Sequence, residues 1–462
     1  MAAIEIAPSK ASKVEAFATL AGFGLRPFSS LRALHEKHGP FVILPYPLSL
    51  SSKPKYLACV ASTDLYREAF SNTHVWRPVN VGFRGLRGQA TSRLSVSMTR
   101  LRGAQHAHYR RLMTPPLGKS AVLGASSAMY AIAARHVSDW PRETQVDFAA
   151  LGGKLAQELA ITLLFGDDSE RAAPVIAMIN DAVDAAWPLP GPAHLRWART
   201  APKLERAIHE WADVKRGADS SGDLFSALVN NPDHRGNEAD LDVISGLLVF
   251  TLGAAYETCQ NALAWTMALL AQHPGVAERL SRDVETAFAG ETPDGEALDA
   301  LPYLDWVTKE GMRLFSPVSI QFRRSMSPTT LGGAPIDEGI RILVSAFLIN
   351  RDPKLYADPQ RFLPERWDRL KATPYEYTVF GAGARMCPGF AFGIQMVKAA
   401  LAAIVATHRF EVPAGSRIDH RATITVAPHP GIPMIFHNRS ANPQTHHIAG
   451  TINELVDLPN VN

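Results

Sequence analysis

Cysteine is scarce in this chain: 462 residues carry only Cys59, Cys259 and Cys387. No CxxC pair and no Cys/His cluster with zinc spacing exists, and an odd, sparse count argues against a disulfide-stapled secreted fold. Excess charge of one sign is also missing. The 47 Lys and Arg against 44 Asp and Glu leave a formal net charge of +3, without the concentrated basic stripe that nucleic acid demands. The N-terminal apolar patch "AFATLAGFGL" is about half the length of a bilayer-spanning helix. It lacks a charged n-region with a small-residue cleavage site, and no fixed-period repeat is visible. These absences point to a reducing-compartment, cytoplasmic protein with no nucleic-acid partner and no membrane anchor.

What is present is ordinary globular material, 46% hydrophobic and 20% charged, in a chain long enough for a large core. Short β-like runs ("FVILPY", "KYLACVAS") and one capped helix ("STDLYREAFSN") occupy the first hundred residues. From Gln105 to about Gln272 the apolar spacing is helical, interrupted by "PLPGP" and "NNPDHRGNEADLD". After Pro302 come a helix ("LDWVTKEGMRLF"), hairpin language ("TTLGGAPIDEGIRILVSAF"), a proline-rich meander and a last long helix. The reading is one mainly α body with a smaller β-rich part and no separating linker.

The stretch "FGAGARMCPGFAFG", Phe380 to Gly393, sets Cys387 among glycines ahead of that last helix. Pro388 suits a first helical position, which predicts Cys387 as the N-cap with the amides of Gly389 and its successors turned toward the sulfur. A helix N-terminus and nearby Arg385 would favour a thiolate. Gly381, Gly383 and Gly389 permit tight folding or close approach of a flat ligand. Such a sulfur suits axial ligation of haem iron. A buried cysteine acting as a small core hydrophobe fits the same residue. A dinucleotide loop fits poorly, because Met386 stands at its third glycine position and no βαβ unit can follow. A nucleophilic cysteine would need a base that spacing does not name.

These residues resemble a known family. Phe380, Gly383, Arg385, Cys387 and Gly389 match the F-x-x-G-x-R-x-C-x-G signature of the cytochrome P-450 haem-thiolate proteins. Three further matches follow the family's order: Glu310 and Arg313 in "KEGMR", Arg366 in "FLPERW", and Glu257 and Thr258 in "GAAYETC". The resemblance runs from about Arg32 to Phe436. It implies one catalytic domain over residues 32–436, an N-terminal segment 1–31 and a C-terminal extension 437–462. It also implies haem b (iron protoporphyrin IX) between the long central helix and the helix after the cysteine loop.

Physical reasoning stands beside each implied role. Glu310 and Arg313 are i,i+3 on one helical face and can meet, as in any surface salt bridge; the resemblance makes them, with Arg366, a buried brace for the cysteine loop. Gly253, Ala254 and Ala255 thin one spot of a bulky helix, and Thr258 can bond the Ala254 carbonyl. That suits a close helix contact or, by resemblance, an oxygen groove in which Glu257 relays protons and Thr258 holds dioxygen and water. Where the family often has a second hydroxyl, Cys259 stands. His106 and Arg110 are i,i+4, a solvated basic face or, by resemblance, haem-propionate partners with Arg323 and Arg385. Phe380 would shield the sulfur.

The implied reaction is insertion of one atom of O₂ into an apolar small molecule. Electrons would come from a separate ferredoxin or flavodoxin with its reductase, docked on the cysteine side of a monomer. Phe83, Leu86, Met98, Val249, Phe250, Ala254, Val318 and Ile320 are the expected pocket, and Arg84, Arg87 and Arg93 are candidates to meet a substrate carboxylate. The competing readings are a peroxygenase or isomerase on the same fold, against which the Glu257–Thr258 pair speaks, and a non-catalytic haem sensor.

Overall fold

The computed structural model describes residues 5–46, 56–79, 88–166, 169–184, 191–216, 222–232, 238–288, 290–422 and 425–459. Seven helices position the site: α1 (Gly103–Leu117), α2 (Phe148–Phe165), α3 (Ser169–Asp184), α4 (Pro192–Lys215), α5 (Glu238–Gln272), α6 (Pro302–Leu314) and α7 (Phe390–Thr407). At 35 residues, α5 is about 50 Å long and forms the axis of the body. Leu247, Leu248, Leu252, Leu263, Trp265 and Leu269 are buried around its circumference. By length and composition α2, the Asp240–Gln272 stretch of α5, and α7 could each cross a membrane. In the fold α5 lies against both α2 and α7, and a helix packed against neighbours on more than one face needs that apolarity.

The β-rich part is a six-stranded sheet of β1 (Ser9–Lys10), β2 (Phe41–Pro45), β3 (Tyr56–Val60), β4 (Trp76–Pro78), β5 (Ile320–Ser325) and β6 (Arg341–Ser345), in the order β1-β2-β3-β6-β5-β4. The pairs β2/β3, β5/β6 and β4/β5 are antiparallel, whereas β3/β6 is parallel. Cys59 pairs with Val42 and Leu343 in this sheet, fully buried. Burial alone pushes its thiol far up, so Cys59 is a core hydrophobe. Strand alternation turns Arg323 inward and Arg324 outward. The expected hairpin pairs Thr329–Leu331 with Ala334–Ile336. Its turn residues Gly332 and Gly333, at φ 57° and 80°, take the left-handed conformations such a turn requires.

A short two-stranded hairpin, β7 (Asp419–Ala422) and β8 (Val426–His429), lies beside α5. Residues 437–459 pack back onto the body. Ile448, Ile452, Leu455 and Val456 are buried in the main core, Glu454 accepts from Ser29 Oγ and Arg32 Nη2, and the Leu455 carbonyl accepts from buried Arg351.

Candidate active site

The cysteine loop is built from its own backbone outward. Gly381 and Gly383 have φ of 69° and 67°, and a Cβ on Gly383 would come within 2.5 Å of the Phe70 carbonyl oxygen. The Cys387 N–H donates to the Phe380 carbonyl at 2.8 Å, closing the loop. The helix does not start where Pro388 suggested. Pro388 and Gly389 form a turn, Gly389 (φ −93°, ψ 22°) is the N-cap, and α7 begins at Phe390. Cys387 therefore lies two residues before the cap, although the Gly389 N–H still reaches its sulfur. Burial pushes the Cys387 thiol up; the Gly389 N–H and Arg110 pull it down without cancelling burial. The cation that acts on the sulfur is thus Arg110, in place of the expected Arg385. Phe380 sits edge-on to Phe390, its ring 3.5 Å from where a Cβ on Gly393 would stand.

Behind the loop stands a closed ionic network. Glu310 and Arg313 on α6 have no exposed side-chain surface. Arg313 Nε and Nη2 donate to the two Glu310 oxygens at 2.9 and 2.8 Å, and Arg366 Nε adds a bond of 2.9 Å. Trp367 Nε1 (2.9 Å) and the Leu363 amide (3.1 Å) complete the carboxylate's shell. These donors outweigh burial and hold Glu310 below the usual carboxylate range. Arg313 Nη1 also donates to the Asn350 carbonyl. The Asn350 side chain accepts from the Thr378 amide and hydroxyl at 3.0 and 2.9 Å. The network is thereby tied to the short 3₁₀ turn that ends at Phe380.

A second group of arginines has a different character. His106 and Arg110 on α1 and Arg323 on β5 each lie within electrostatic reach of Arg385 in the cysteine loop, as do Arg77 and Arg102. Arg385 spends its two terminal nitrogens on the Met98 and Leu101 carbonyls (2.7 and 2.9 Å), and its buried Nε has no partner among the described residues. Arg323 lies over the Phe70 ring at 3.6 Å; burial, then Arg385, lower its pKa to about 10. Burial, Arg385 and Arg110 lower that of His106 to about 4, so its ring is neutral. No carboxylate among the described residues pairs with Arg110, Arg323 or Arg385. A Cβ added to Gly389 would meet nothing within 4 Å. One buried and two half-buried arginines without acids among the described residues, beside an open glycine face and a sulfur, fit a flat group bearing two carboxylates, as haem does.

On α5, whose Cys259 lies within electrostatic reach of Cys387, the thin spot is partly open. Ala254 is exposed and Phe250 is 41% exposed on a helix that is otherwise packed. Thr258 Oγ1 donates to the Ala254 carbonyl at 2.7 Å. Glu257 accepts from Thr425 Oγ1 at 2.7 Å. Tyr256 turns away from this spot to donate to Asn180 on α3 at 2.9 Å. Cys259 is buried, its thiol pushed up to about 12, with its sulfur 3.7 Å from where a Cβ on Gly393 of α7 would stand. The thin region therefore includes a close helix contact as well as an opening.

Of the expected pocket, Met98 and Val249 are buried and Val318 and Ile320 are partly buried. Phe83, Leu86, Arg84 and Arg87 lie outside the described residues. Arg93, one of the candidates to meet a substrate acid, is bound in fork fashion by Glu205 of α4 at 2.6 Å for both bonds. Sequence reasoning missed Asn350, Trp367 and Thr425. Trp367 had a weak signal as the neighbour of Arg366; Asn350 and Thr425 had none, since their partners are remote along the chain.

Comparison with known proteins places the chain in a family. The family model described as Cytochrome P450 matches residues 12–433. The chain is 28% identical over 413 residues to cyclooctat-9-en-7-ol 5-monooxygenase of Streptomyces melanosporofaciens, covering 85% of this chain and 87% of that protein. It is 27% identical over 417 residues to pentalenene oxygenase of Streptomyces avermitilis, covering 87% and 90%. With zealexin A1 synthase of Zea mays it shares 27% over 433 residues, covering 84% and 83%.

Proposed function

The chain belongs to the cytochrome P450 family, and from that premise we propose that its substrate is a cyclic terpenoid. The enzyme is a haem-dependent monooxygenase: it incorporates one atom of O₂ into an apolar small molecule, with two electrons and two protons supplied. Two of its bacterial relatives bear the names cyclooctat-9-en-7-ol 5-monooxygenase and pentalenene oxygenase, and a maize relative is a zealexin synthase. The binding of Arg93 by Glu205 removes one candidate for an acidic substrate and supports the apolar reading.

The observation that carries the site assignment is the cluster of buried Arg323 with half-buried Arg110 and Arg385, without acids among the described residues, beside an open glycine and a sulfur. In this reading Cys387 would hold the iron of haem b through its sulfur, Phe380 would shield that sulfur, and Gly383 and Gly389 would make room for the ring. His106, Arg110, Arg323 and Arg385 would take its two carboxylates, the three arginines while also bonding backbone carbonyls. Bound haem supplies dioxygen activation and O–O cleavage, which a thiolate ligand promotes. Thr258 holds a hydroxyl at the α5 opening, Glu257 supplies protons to it, and Phe250, Val318 and Ile320 exclude water around the substrate. Glu310, Arg313 and Arg366 keep the loop in place. Electrons come from a separate ferredoxin or flavodoxin system, and the protein works as a cytoplasmic monomer.

The test combines two measurements on the purified holoprotein. The reduced CO complex shows the red-shifted thiolate band, and cyclic sesquiterpene and diterpene hydrocarbons or alcohols convert the ferric form from low to high spin saturably. Fatty and aromatic acids do not. Turnover then consumes one O₂ and one electron pair per hydroxyl introduced. A thiolate band with product formed only from peroxide would favour the peroxygenase reading, and a band with no turnover on any substrate the sensor reading.

A further inference from the structure

The acid of the α5 opening is held in an unusual way. Among the described residues no cation pairs with Glu257, and its one hydrogen-bond donor is the hydroxyl of Thr425, at 2.7 Å. Thr425 is 3% exposed and immediately precedes β8. Its oxygen also faces Asn261, whose Nδ2 donates to it at 3.3 Å. Glu257 and Asn261 are i,i+4 on one face of α5, so the threonine docks between two side chains of the same helix. Its placement is fixed from both sides. The next residue, Val426, donates its N–H to the Pro317 carbonyl at 3.0 Å and accepts from Trp265 Nε1 of α5 at 2.9 Å. Trp265 in turn stacks on Phe315 at 4.3 Å between ring centroids. Anchored at the adjacent Val426, the start of β8 thus brings one hydroxyl to one carboxylate.

Glu257 and Thr258 are sequence neighbours and do not face each other on the helix, so the direction in which Glu257 points decides whether it can serve the opening. We infer that Thr425 is a positioning residue that sets the orientation of the Glu257 carboxyl for proton delivery. The inference rests on the monooxygenase reading of Glu257. A hydroxyl suits the task because it carries one hydrogen and two lone pairs. It donates to Glu257 when the acid is ionised. With one lone pair turned to Asn261, the other remains to accept from Glu257 when the acid is protonated. The carboxyl can therefore lose and regain a proton without leaving its place. A valine of the same shape fills the space and offers neither bond.

The experiment compares Thr425→Val, Thr425→Ser and Glu257→Gln holoproteins, each first shown to have the normal reduced-CO band and the normal substrate-induced spin shift. The carboxylate band of Glu257 is identified in the infrared as the one lost in Glu257→Gln. The expected result is a shifted band and a roughly tenfold lower yield of product per electron pair in Thr425→Val. Both should return in Thr425→Ser, with the substrate dissociation constant unchanged throughout. A merely structural threonine would alter stability without moving the band. A wild-type band and yield in Thr425→Val, beside a collapsed yield in Glu257→Gln, would overturn the inference and leave the monooxygenase reading standing. A Glu257→Gln protein that couples normally would overturn both the inference and the proton-supply role of Glu257.

Discussion

Two arginine clusters flank the cysteine loop, and they solve the burial of charge in opposite ways. In the network of α6, Arg313 and Arg366 share one carboxylate, Glu310, whose two oxygens receive five hydrogen bonds from described donors. In the cluster of α1, β5 and the loop, Arg110, Arg323 and Arg385 bond, among the described residues, backbone carbonyls and no acid. Burial costs a cation much of its hydration, and only a satisfied counter-charge restores it. The first cluster is complete with protein atoms alone and serves the fold. The second is electrostatically incomplete, which is what a receptor for a dianionic ligand requires. The lowered pKa values of Arg323 and His106 record that incompleteness, whereas Glu310 has its pKa lowered by the partners it already has.

Substitutions should separate the two clusters. The largest effect is expected at Glu310: Glu310→Gln strands two buried guanidinium groups and should cost about 3–5 kcal/mol, measured by urea unfolding, with loss of holoprotein. Next, Trp367→Phe removes one donor to the same carboxylate and should cost about 1.5–3 kcal/mol while haem is still taken up. Arg323→Met should behave differently. It removes a cation without a protein acid, so the apoprotein should melt no lower than wild type, while transfer of haem to apomyoglobin becomes roughly tenfold more favourable. If Arg323→Met unfolded the apoprotein as Glu310→Gln does, the distinction between the clusters would fail.

The smallest effects are in pH dependence, and their signs follow from the pKa directions. Glu310 is held below its ordinary value of 4.5, so its contribution is fully present above that pH and is lost as pH falls through the folded value. Glu310→Gln should flatten the wild-type acid limb in this range. His106 is held at about 4 against an ordinary 6.5. As pH falls from 6.5 toward 4, the unfolded chain takes up a proton that the folded apoprotein refuses, and stability declines. Carboxylates bound at the cluster raise the His106 pKa again, so haem-loaded protein should lose less stability over that window. Melting temperatures of apo and holo forms across the range, with His106→Asn as control, measure the difference.

Much of the site could be read along the chain because its determinants are local. The i,i+3 spacing of Glu310 and Arg313, the glycines around Cys387, and the small residues before Thr258 each act within a turn or two of backbone. The cap of α7 was misplaced for an equally local reason. Pro388 fits a first helical position, but the same residue fits the turn that precedes Gly389, and propensity does not choose between them. The partners that escaped notice are remote: Thr425 is 168 positions from Glu257, and Asn350 is 37 from the Arg313 whose guanidinium its carbonyl receives. No periodicity links residues so far apart.

Apolar periodicity and turn chemistry, which are properties of a few adjacent residues, were enough to define a mainly helical body with a smaller β-rich part. The family and the interest of Cys387 came from the resemblance of its signature to the cytochrome P450 proteins. Whether a given arginine meets an acid was settled by the folded arrangement. Hydrogen bonds and ion pairs act over a few ångströms and in narrow directions. Arg313 met Glu310, Arg93 met Glu205, and among the described residues Arg110, Arg323 and Arg385 met carbonyls and a ring, according to which segments of backbone the packing of α1, α6 and the sheet brought side by side.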